Sequence, residues 1–417
     1  MSFDTATAEA VSRDQFANEF IAVLKSAEPN KSVSYDADKF CLTIEPEGPS
    51  PVAVNLGNLY PDYLQAGQEE RPATLRRFLR FLRDGSKGLP DEFEDAAHDL
   101  LPIVRGLVGS ELDLLRREVR GGPVSPAHMA LAEHLSVSVA YDLPECVMHL
   151  GETDFQRWGV TFEIAGQRAM ENLAKLPCRF GGLRATPGVY AFNVDDGYAS
   201  SRLLLPQVFM ELPLSGMPIA MVPRAASLLF TGDRDEDGLR IMCERAEQEL
   251  RWSSPIGGFA YRLSDEGAWH PWLPAPTHRL YKQFRRLADA TLCLAYARQQ
   301  KVLTQLEEEY KPEEARFFVA SVFALKAESP WGAITSCGWT NHAPSLLPKT
   351  DMIALLRDLK EPPVMVPWNV VQKTVGHTMV PLGMYPERYR VDSFPSEPQY
   401  AAILRAAKRE RRQRHPK

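Results

Sequence analysis

The sequence predicts an α+β fold, with an N-terminal mixed α/β domain and a smaller C-terminal α+β region. Along the 417 residues, apolar side chains recur at helical spacing in some segments and at alternate positions in others. Between these patterns, residues 270–276 carry three prolines within six positions, which indicates a stiff linker. We therefore expect one domain over residues 1–270 and a second region over residues 277–417.

The N-terminal segment opens with a helix over residues 12–25, for which Ser12 is a suitable N-cap. Alternating apolar positions then predict a hairpin over residues 32–44. A second amphipathic helix begins at Pro72, where leucine and phenylalanine face one side and arginine the other. We expect another helix over residues 91–101, and the segment after it up to Gly122 is also helix-like.

The middle of the chain alternates strands with longer helices. Residues 135–141 alternate apolar and small side chains, which is typical of a half-buried strand, and residues 147–150 continue it. Thr153 or Asp154 then caps a helix with a large aromatic face, extending to Leu173. Further strands are expected at these segments: residues 189–194, 217–222, 227–231 and 259–263. The acidic residues 233–237 lack the terminal glutamate of a calcium loop, and Asp237 is the expected N-cap of the following helix.

The C-terminal region begins with a helix of up to thirty residues from Thr277. Residues 317–325 predict a strand that pairs with residues 333–339 as a hairpin, and residues 351–359 predict a short helix between prolines. The final helix carries an apolar stripe that begins at Tyr400, through which we expect it to dock while its basic end stays free.

The most distinctive polar segment follows the strand at residues 189–194. The side chains that single it out are Asp195, Asp196, Tyr198, Ser201 and Arg202. Polar groups at a strand end are typical of ligand sites in α/β proteins, where the carboxylates act as base or ion ligands and the guanidinium clamps an anionic group. The structural interpretation is that one aspartate caps the next element and pairs with Arg202, and we favour it.

The same segment carries a family resemblance. The core Asp-Gly-Tyr-x-x-Ser-Arg ends at Arg202 and follows the helix-ending segment Asn-Leu-x-x-Leu-Pro, residues 172–177, by about twenty positions. In this order of motifs, residues 15–270 resemble the bacterial YtpQ-like family, a domain of unknown function. The resemblance implies a strand pair after the signature and brings no activity. Ala199 stands where that family has an acid, which removes one carboxylate from any metal or acid–base site.

Charge is distributed unevenly. The chain has a net charge of −6, yet residues 405–417 carry seven cations against Glu410 alone, so the remainder carries −12. Such a tail is typical either of an arm for nucleic acid or an acidic partner, or of a basic helix end favoured by the helix dipole. We favour the helix end, because an acidic body repels a polyanion.

Several functional classes lack their sequence signatures. No apolar run reaches the roughly 20 residues that span a bilayer, and no secretory signal opens the chain. Six scattered cysteines indicate reduced cytoplasmic thiols, and neither His128 nor His134 has zinc-ligand spacing. We predict no metal and no cofactor. A nucleophile pair of Cys337 and His342 is a minor hypothesis, because no base with an orienting acid stands at readable spacing.

These observations favour a cytoplasmic, non-catalytic interaction or scaffolding protein that binds a protein partner or a second copy of itself. The alternative is a small-ligand-binding protein or an enzyme that uses the polar turn at residues 195–202. A third hypothesis is nucleic-acid binding through the basic tail, which is possible but not favoured. We expect no membrane partner.

Overall fold

The protein has a mixed α+β fold, as predicted. The computed structural model describes residues 11–45, 52–85, 88–121, 127–143, 147–178, 180–182, 188–192, 196–252, 255–325, 334–358 and 360–414. The helices in chain order are α1 (Arg13–Ala27), α2 (Tyr60–Gln65), α3 (Arg71–Gly85), α4 (Phe93–Ala96), α5 (Leu107–Val119), α6 (Glu152–Trp158), α7 (Phe162–Leu173), α8 (Pro206–Met210), α9 (Glu236–Glu249), α10 (Tyr281–Tyr310), α11 (Trp368–Val375) and α12 (Glu397–Arg414). Within the described ranges, none of the helices combines the length and the apolar character that crossing a bilayer requires.

The strands form several separate sheets. In chain order they are β1 (Ser32–Asp36), β2 (Cys41–Glu45), β3 (Val52–Asn55), β4 (Leu100–Gly106), β5 (His128–Ala132), β6 (Leu135–Asp142), β7 (Val147–His149), β8 (Phe180–Gly182), β9 (Tyr190–Phe192), β10 (Pro218–Arg224), β11 (Ser227–Gly232), β12 (Ala260–Leu263), β13 (Trp269–Trp272), β14 (Phe318–Val319), β15 (Val322–Leu325), β16 (Ile334–Thr340), β17 (Ser345–Pro348), β18 (Met352–Leu356), β19 (Val364–Pro367), β20 (Val380–Pro381) and β21 (Arg388–Val391).

The chain divides into two compact units, each assembled from separate segments. Described residues within Met1–Pro102, Val139–Leu176 and Gln248–Pro255 form the first unit, and those within Ile103–Ser138, Pro177–Glu247 and Ile256–Lys417 form the second. The division expected at residues 270–276 does not coincide with these units, because residues on both sides of that segment lie in the second one.

The first unit begins with α1 and the antiparallel sheet β1-β2-β3. Ser12 caps α1 as predicted: its hydroxyl accepts from the Gln15 backbone N–H at 3.2 Å, and the Gln15 side chain accepts from the Ser12 N–H. Phe16 and Phe20 of α1 are buried together with Leu42 of β2. The helix α3 completes this core, so the predicted hairpin and both predicted helices are confirmed.

Three expectations for the first unit are wrong. The helix expected over residues 91–101 is shorter: the single turn α4 is continued by a 3₁₀ turn, Ala97–Asp99. Strand β4 then begins at Leu100, where a run of adjacent apolar residues suits a strand buried on both faces. The helix expected after Thr153 is two helices, because Gly159 ends α6 in a left-handed conformation with φ of +66°. Strand β7 does not continue β6 but turns back to pair with it, with Ala140 opposite His149.

The second unit contains a six-stranded sheet in the order β13-β12-β10-β11-β9-β8. The predicted strand pair β10 and β11 is at its centre, and Phe230 is buried there against Phe209. The predicted linker begins instead as the edge strand β13, because Trp269 is buried in this core and its indole N–H donates to the Leu203 carbonyl at 2.9 Å. Asp235, rather than the predicted Asp237, caps α9 by accepting from the Gly238 N–H at 2.8 Å.

The C-terminal part of the second unit holds two four-stranded sheets, in the orders β15-β16-β18-β19 and β14-β17-β21-β20. The predicted long helix is α10, which spans 30 residues. The predicted hairpin of β15 and β16 is confirmed, but residues 317–325 are divided between the two sheets. The short helix expected over residues 351–359 is wrong: β18 runs parallel to β16 there, with Ile353 and Leu355 buried at alternate positions.

Candidate functional site

The polar turn predicted from the sequence is a tight turn that leads into a short 3₁₀ helix, Ser200–Leu204. Asp195 lies outside the described residues. Gly197 has a φ of +75°, which a glycine adopts without strain. The Asp196 Oδ1 accepts from the Tyr198 backbone N–H at 3.0 Å, so this carboxylate closes the turn over two residues.

Arg202 is the centre of this turn. Its side chain is fully buried, with 0% of its surface exposed. Its Nη1 donates to the Asp196 Oδ1 at 3.1 Å and its Nη2 to the Asp196 Oδ2 at 2.5 Å. The same Nη2 donates to the Pro177 carbonyl at 2.9 Å. One guanidinium therefore joins the two sequence segments on which the family resemblance depends.

The remaining predicted site residues are buried beside this ion pair. Tyr198 and Ser201 expose 2% and 1% of their surface. The Ser201 N–H donates to the Tyr198 carbonyl at 3.1 Å, within the turn. In the part of the chain that the structure describes, the Ser201 hydroxyl finds no hydrogen-bond partner. The structure thus brings Asp196, Tyr198, Ser201 and Arg202 together, with Asp196 the most exposed of the four.

A second polar site lies between helices α11 and α12, and we call it the cationic groove. It encloses about 710 Å³ and is open to solvent. Its lining residues are Asn369, Val370, Lys373, Thr374, Ala402, Arg405, Ala406, Arg409 and Glu410. The sequence indicated a docked, basic final helix, and Ile403 is indeed buried in the core. The sequence analysis did not predict helix α11, and it therefore did not identify Lys373 as a residue of this groove.

A third site, which we call the aromatic pocket, was missed by sequence reasoning altogether. It encloses about 330 Å³ beside the first turns of α10. Its lining residues are Glu133, His134, Phe259, Ala260, Pro271, Trp272, Leu273, Arg285, Ala288, Asp289 and Leu292. The spacing of the last four along α10 places them on one helix face, but nothing in the sequence links that face to the turn after β5.

The polar groups of the aromatic pocket are tightly held. The His134 ring stacks on Phe259 with centroids 3.5 Å apart, and its Nδ1 is hydrogen-bonded to the Tyr385 hydroxyl. Burial lowers the pKa of His134 to about 4, so the ring is neutral at neutral pH. Arg285 Nε lies 2.8 Å from both carboxylate oxygens of Asp289. Burial raises the pKa of Asp289, and the Arg285 guanidinium opposes that rise.

The geometry argues against the hypothesis of a Cys337 and His342 nucleophile pair. Cys337 exposes 1% of its surface, and Thr350 Oγ1 donates to its Sγ at 3.5 Å. Burial raises the pKa of this thiol to about 11, which disfavours the nucleophilic thiolate. Among the described residues, no group of three or more His, Cys, Asp or Glu side chains is arranged to hold a metal ion.

Comparison with known proteins gives no match: no family model, no curated protein and no solved structure is similar to this chain. The resemblance to the YtpQ-like family therefore stays a prediction based on the motif that ends at Arg202.

Proposed function

We propose that this chain is a non-catalytic interaction protein and that its partner-binding surface is the cationic groove. The partner is a protein with an acidic, amphipathic helix. The observation that carries the proposal is the set of three exposed cations, Lys373, Arg405 and Arg409, that line one groove between two helices.

The charge of the groove is not neutralised locally. Within the described ranges, none of its three cations forms an ion pair with a carboxylate. Glu410, the one acidic lining residue, accepts from the Asn369 side-chain amide at 3.2 Å. Keeping three like charges close together is unfavourable unless a partner of opposite charge is bound. The groove therefore favours an acidic partner.

The shape of the groove favours a helix. Ala402 and Ala406 lie one turn apart on α12, and Thr374 lines the groove from α11. Small side chains let a third helix approach closely, and its apolar face can then pack between Lys373 on α11 and the two arginines on α12. The underlying helix is firmly placed, because Ile403 and Ala407 on its other face are buried in the core.

A protein partner is favoured over nucleic acid. The chain outside residues 405–417 has a net charge of −12, so an extended polyanion would be repelled along most of its length. A short acidic helix contacts only the groove. By contrast, the turn at residues 196–202 offers little to a solute, because Arg202 is buried and bound within the protein.

The test is fluorescence anisotropy with a labelled synthetic peptide that forms an amphipathic helix with alanine, leucine and glutamate. The groove variant is Lys373→Glu/Arg405→Glu/Arg409→Glu. The control variant has the same charge change on α10, at exposed positions outside the groove: Lys282→Glu/Arg298→Glu/Lys301→Glu. We expect the control to bind the peptide as the wild type does. The groove variant should lose at least about tenfold in affinity, because three surface ion pairs together contribute a binding free energy of about that size.

Three results would contradict this function. Equal loss in both variants would indicate a general effect of net charge. If the wild type did not bind the peptide, the cationic groove would not be a binding surface for an acidic helix. Tighter binding of a single-stranded oligonucleotide of the same charge, with a steeper salt dependence, would establish nucleic acid as the partner.

A further inference from the structure

The aromatic pocket has the composition of a small-molecule site. Flat rings line it from three segments: His134 from the turn between β5 and β6, Phe259 from the residue before β12, and Trp272 from the end of β13. Its volume of about 330 Å³ lies at the lower end of the range for small-ligand pockets. All of its lining residues belong to the second compact unit.

Two contacts hold the rings in place before any ligand arrives. Trp272 meets Phe284 edge to face, with centroids 5.5 Å apart and an interplanar angle of 86°. His134 is held between the Phe259 ring and the Tyr385 hydroxyl. Rings that are already ordered lose little entropy on binding, so they favour a flat ligand.

The pocket carries an excess of negative charge. Asp289 and Glu133 supply two carboxylates, against one guanidinium, Arg285. That guanidinium is already engaged on two sides: by Asp289, and by Asp351 Oδ1, which lies 3.4 Å from its Nη2. His134 adds no positive charge at neutral pH, because burial keeps its pKa low. An anionic ligand would thus compete with two carboxylates for Arg285 and be repelled by Glu133.

Aromatic faces beside an uncompensated carboxylate, here Glu133, attract cations. The negative face of an indole or phenyl ring binds an ammonium group, and the attraction grows as water is excluded. Asp289 is the group that a cation would meet deepest, since only 10% of its side chain is exposed. Glu133 lines the same pocket and is exposed to solvent.

We propose that the aromatic pocket binds a small organic cation with a flat apolar body. Trp272 and Phe259 pack against that body, and Glu133, the lining carboxylate that is not paired with Arg285, supplies the opposite charge. The guanidinium of Arg285 holds the buried Asp289 carboxylate in place. This site is separate from the cationic groove and shares no lining residue with it.

Isothermal titration calorimetry of the full chain with N-methylquinolinium tests the proposal, with 2-naphthoate as the anionic probe of similar shape. We expect the cation to bind and the carboxylate not to bind. Trp272→Leu should lower the affinity for the cation about three- to thirtyfold, which corresponds to one cation–π contact in a desolvated site. Glu133→Gln should weaken it severalfold without affecting folding, because this residue is exposed in a turn. The control Glu314→Gln removes the same charge from an exposed position outside the pocket and should leave binding unchanged.

The proposal is overturned if the wild type binds no N-methylquinolinium, or if it binds 2-naphthoate as tightly. It is also overturned if both Trp272→Leu and Glu133→Gln bind the cation as the wild type does. Thermal melting of each variant identifies any that fails to fold, and Glu133→Gln then decides alone. None of these outcomes depends on the peptide experiment at the cationic groove.

Discussion

The guanidinium of Arg202 and the carboxylate of Asp196 meet through two hydrogen bonds, at 3.1 Å and 2.5 Å, with the arginine side chain fully buried. Such two-point pairs are the strongest ionic contacts of arginine, since the planar fork matches the carboxylate. The pair also fixes the turn, because the same Asp196 oxygen accepts from the Tyr198 N–H. These contacts make the polar turn a stabilising element of the second unit.

We therefore expect Asp196→Ala and Arg202→Ala each to lower the free energy of unfolding by about 3–5 kcal/mol, as is usual when one partner of a buried pair is removed. Asp196→Ala leaves a buried cation without its carboxylate. The matched control is Arg240→Ala, because the Arg240–Glu244 pair on α9 is exposed and should contribute less than about 1 kcal/mol. Urea denaturation measures all three. An unchanged free energy of unfolding for both turn variants would contradict the structural role of the pair.

Much of the fold was predictable where the signal is local. The cap at Ser12, the 30-residue helix α10 and the strand pair β10–β11 each follow from residues close together in sequence. Errors arose where pairing with a distant strand decides the conformation. Residues 351–359 carry a pattern that fits a helix, but β18 is set by its parallel partner β16. Strand β13 was missed for a different reason: it forms a hairpin with the neighbouring β12, but Pro271 and the prolines that follow suggested a linker.

The same limit applies to the sites. The pairing of Arg202 with an aspartate was predictable, because the two residues lie six positions apart in one segment. The cationic groove joins Lys373 to Arg405 across a loop and a strand pair, and the aromatic pocket joins His134 to Trp272 and Asp289. No single-sequence pattern connects residues so far apart. A lone histidine such as His134 carries no sequence signal of the ring on which it stacks.

Replacing a glycine by alanine should have opposite effects on stability at Gly232 and at Gly166. A Cβ at Gly232, at the end of β11, would overlap the Ser215 backbone carbonyl and lie 2.7 Å from the Ser215 nitrogen, and backbone atoms cannot move aside cheaply. A Cβ at Gly166, inside α7, would meet no atom within 4 Å. We expect Gly232→Ala to destabilise the protein by about 2 kcal/mol or more, and Gly166→Ala to stabilise it by about 0.5–1 kcal/mol, because alanine is the better helix former. Thermal melting checks both, and equal shifts of the two variants would contradict the packing described.

The cysteines should differ in reactivity under native conditions. Burial raises the pKa of Cys243 to about 12 and that of Cys337 to about 11, so both stay protonated and enclosed. Cys41, Cys178 and Cys293 are half-buried, and burial raises the pKa of Cys293 as well. We expect iodoacetamide to label Cys41 and Cys178 before Cys243 and Cys293, as read by peptide mass spectrometry, and to label Cys337 only after unfolding. Early labelling of Cys337 would revive the hypothesis that it is a nucleophile.

His134 should make the stability of the protein depend on pH. Its pKa falls from an ordinary 6.5 in the unfolded chain to about 4 in the fold, because burial penalises the charged ring. Between these values the unfolded chain binds a proton that the folded chain does not, so this contribution to stability is complete above about pH 6.5 and is lost as the pH falls towards 4. The total loss amounts to about 3 kcal/mol.

The variant His134→Gln isolates this effect, since glutamine can still bond to the Tyr385 hydroxyl but does not titrate. Urea denaturation at a series of pH values should show the wild type losing stability faster than the variant as the pH drops below 6.5. Carboxylates titrate in both proteins, so they cancel in the comparison. Parallel curves for the two proteins would mean that the His134 ring is solvated in the fold, and its stacking on Phe259 in the aromatic pocket would then be wrong as well.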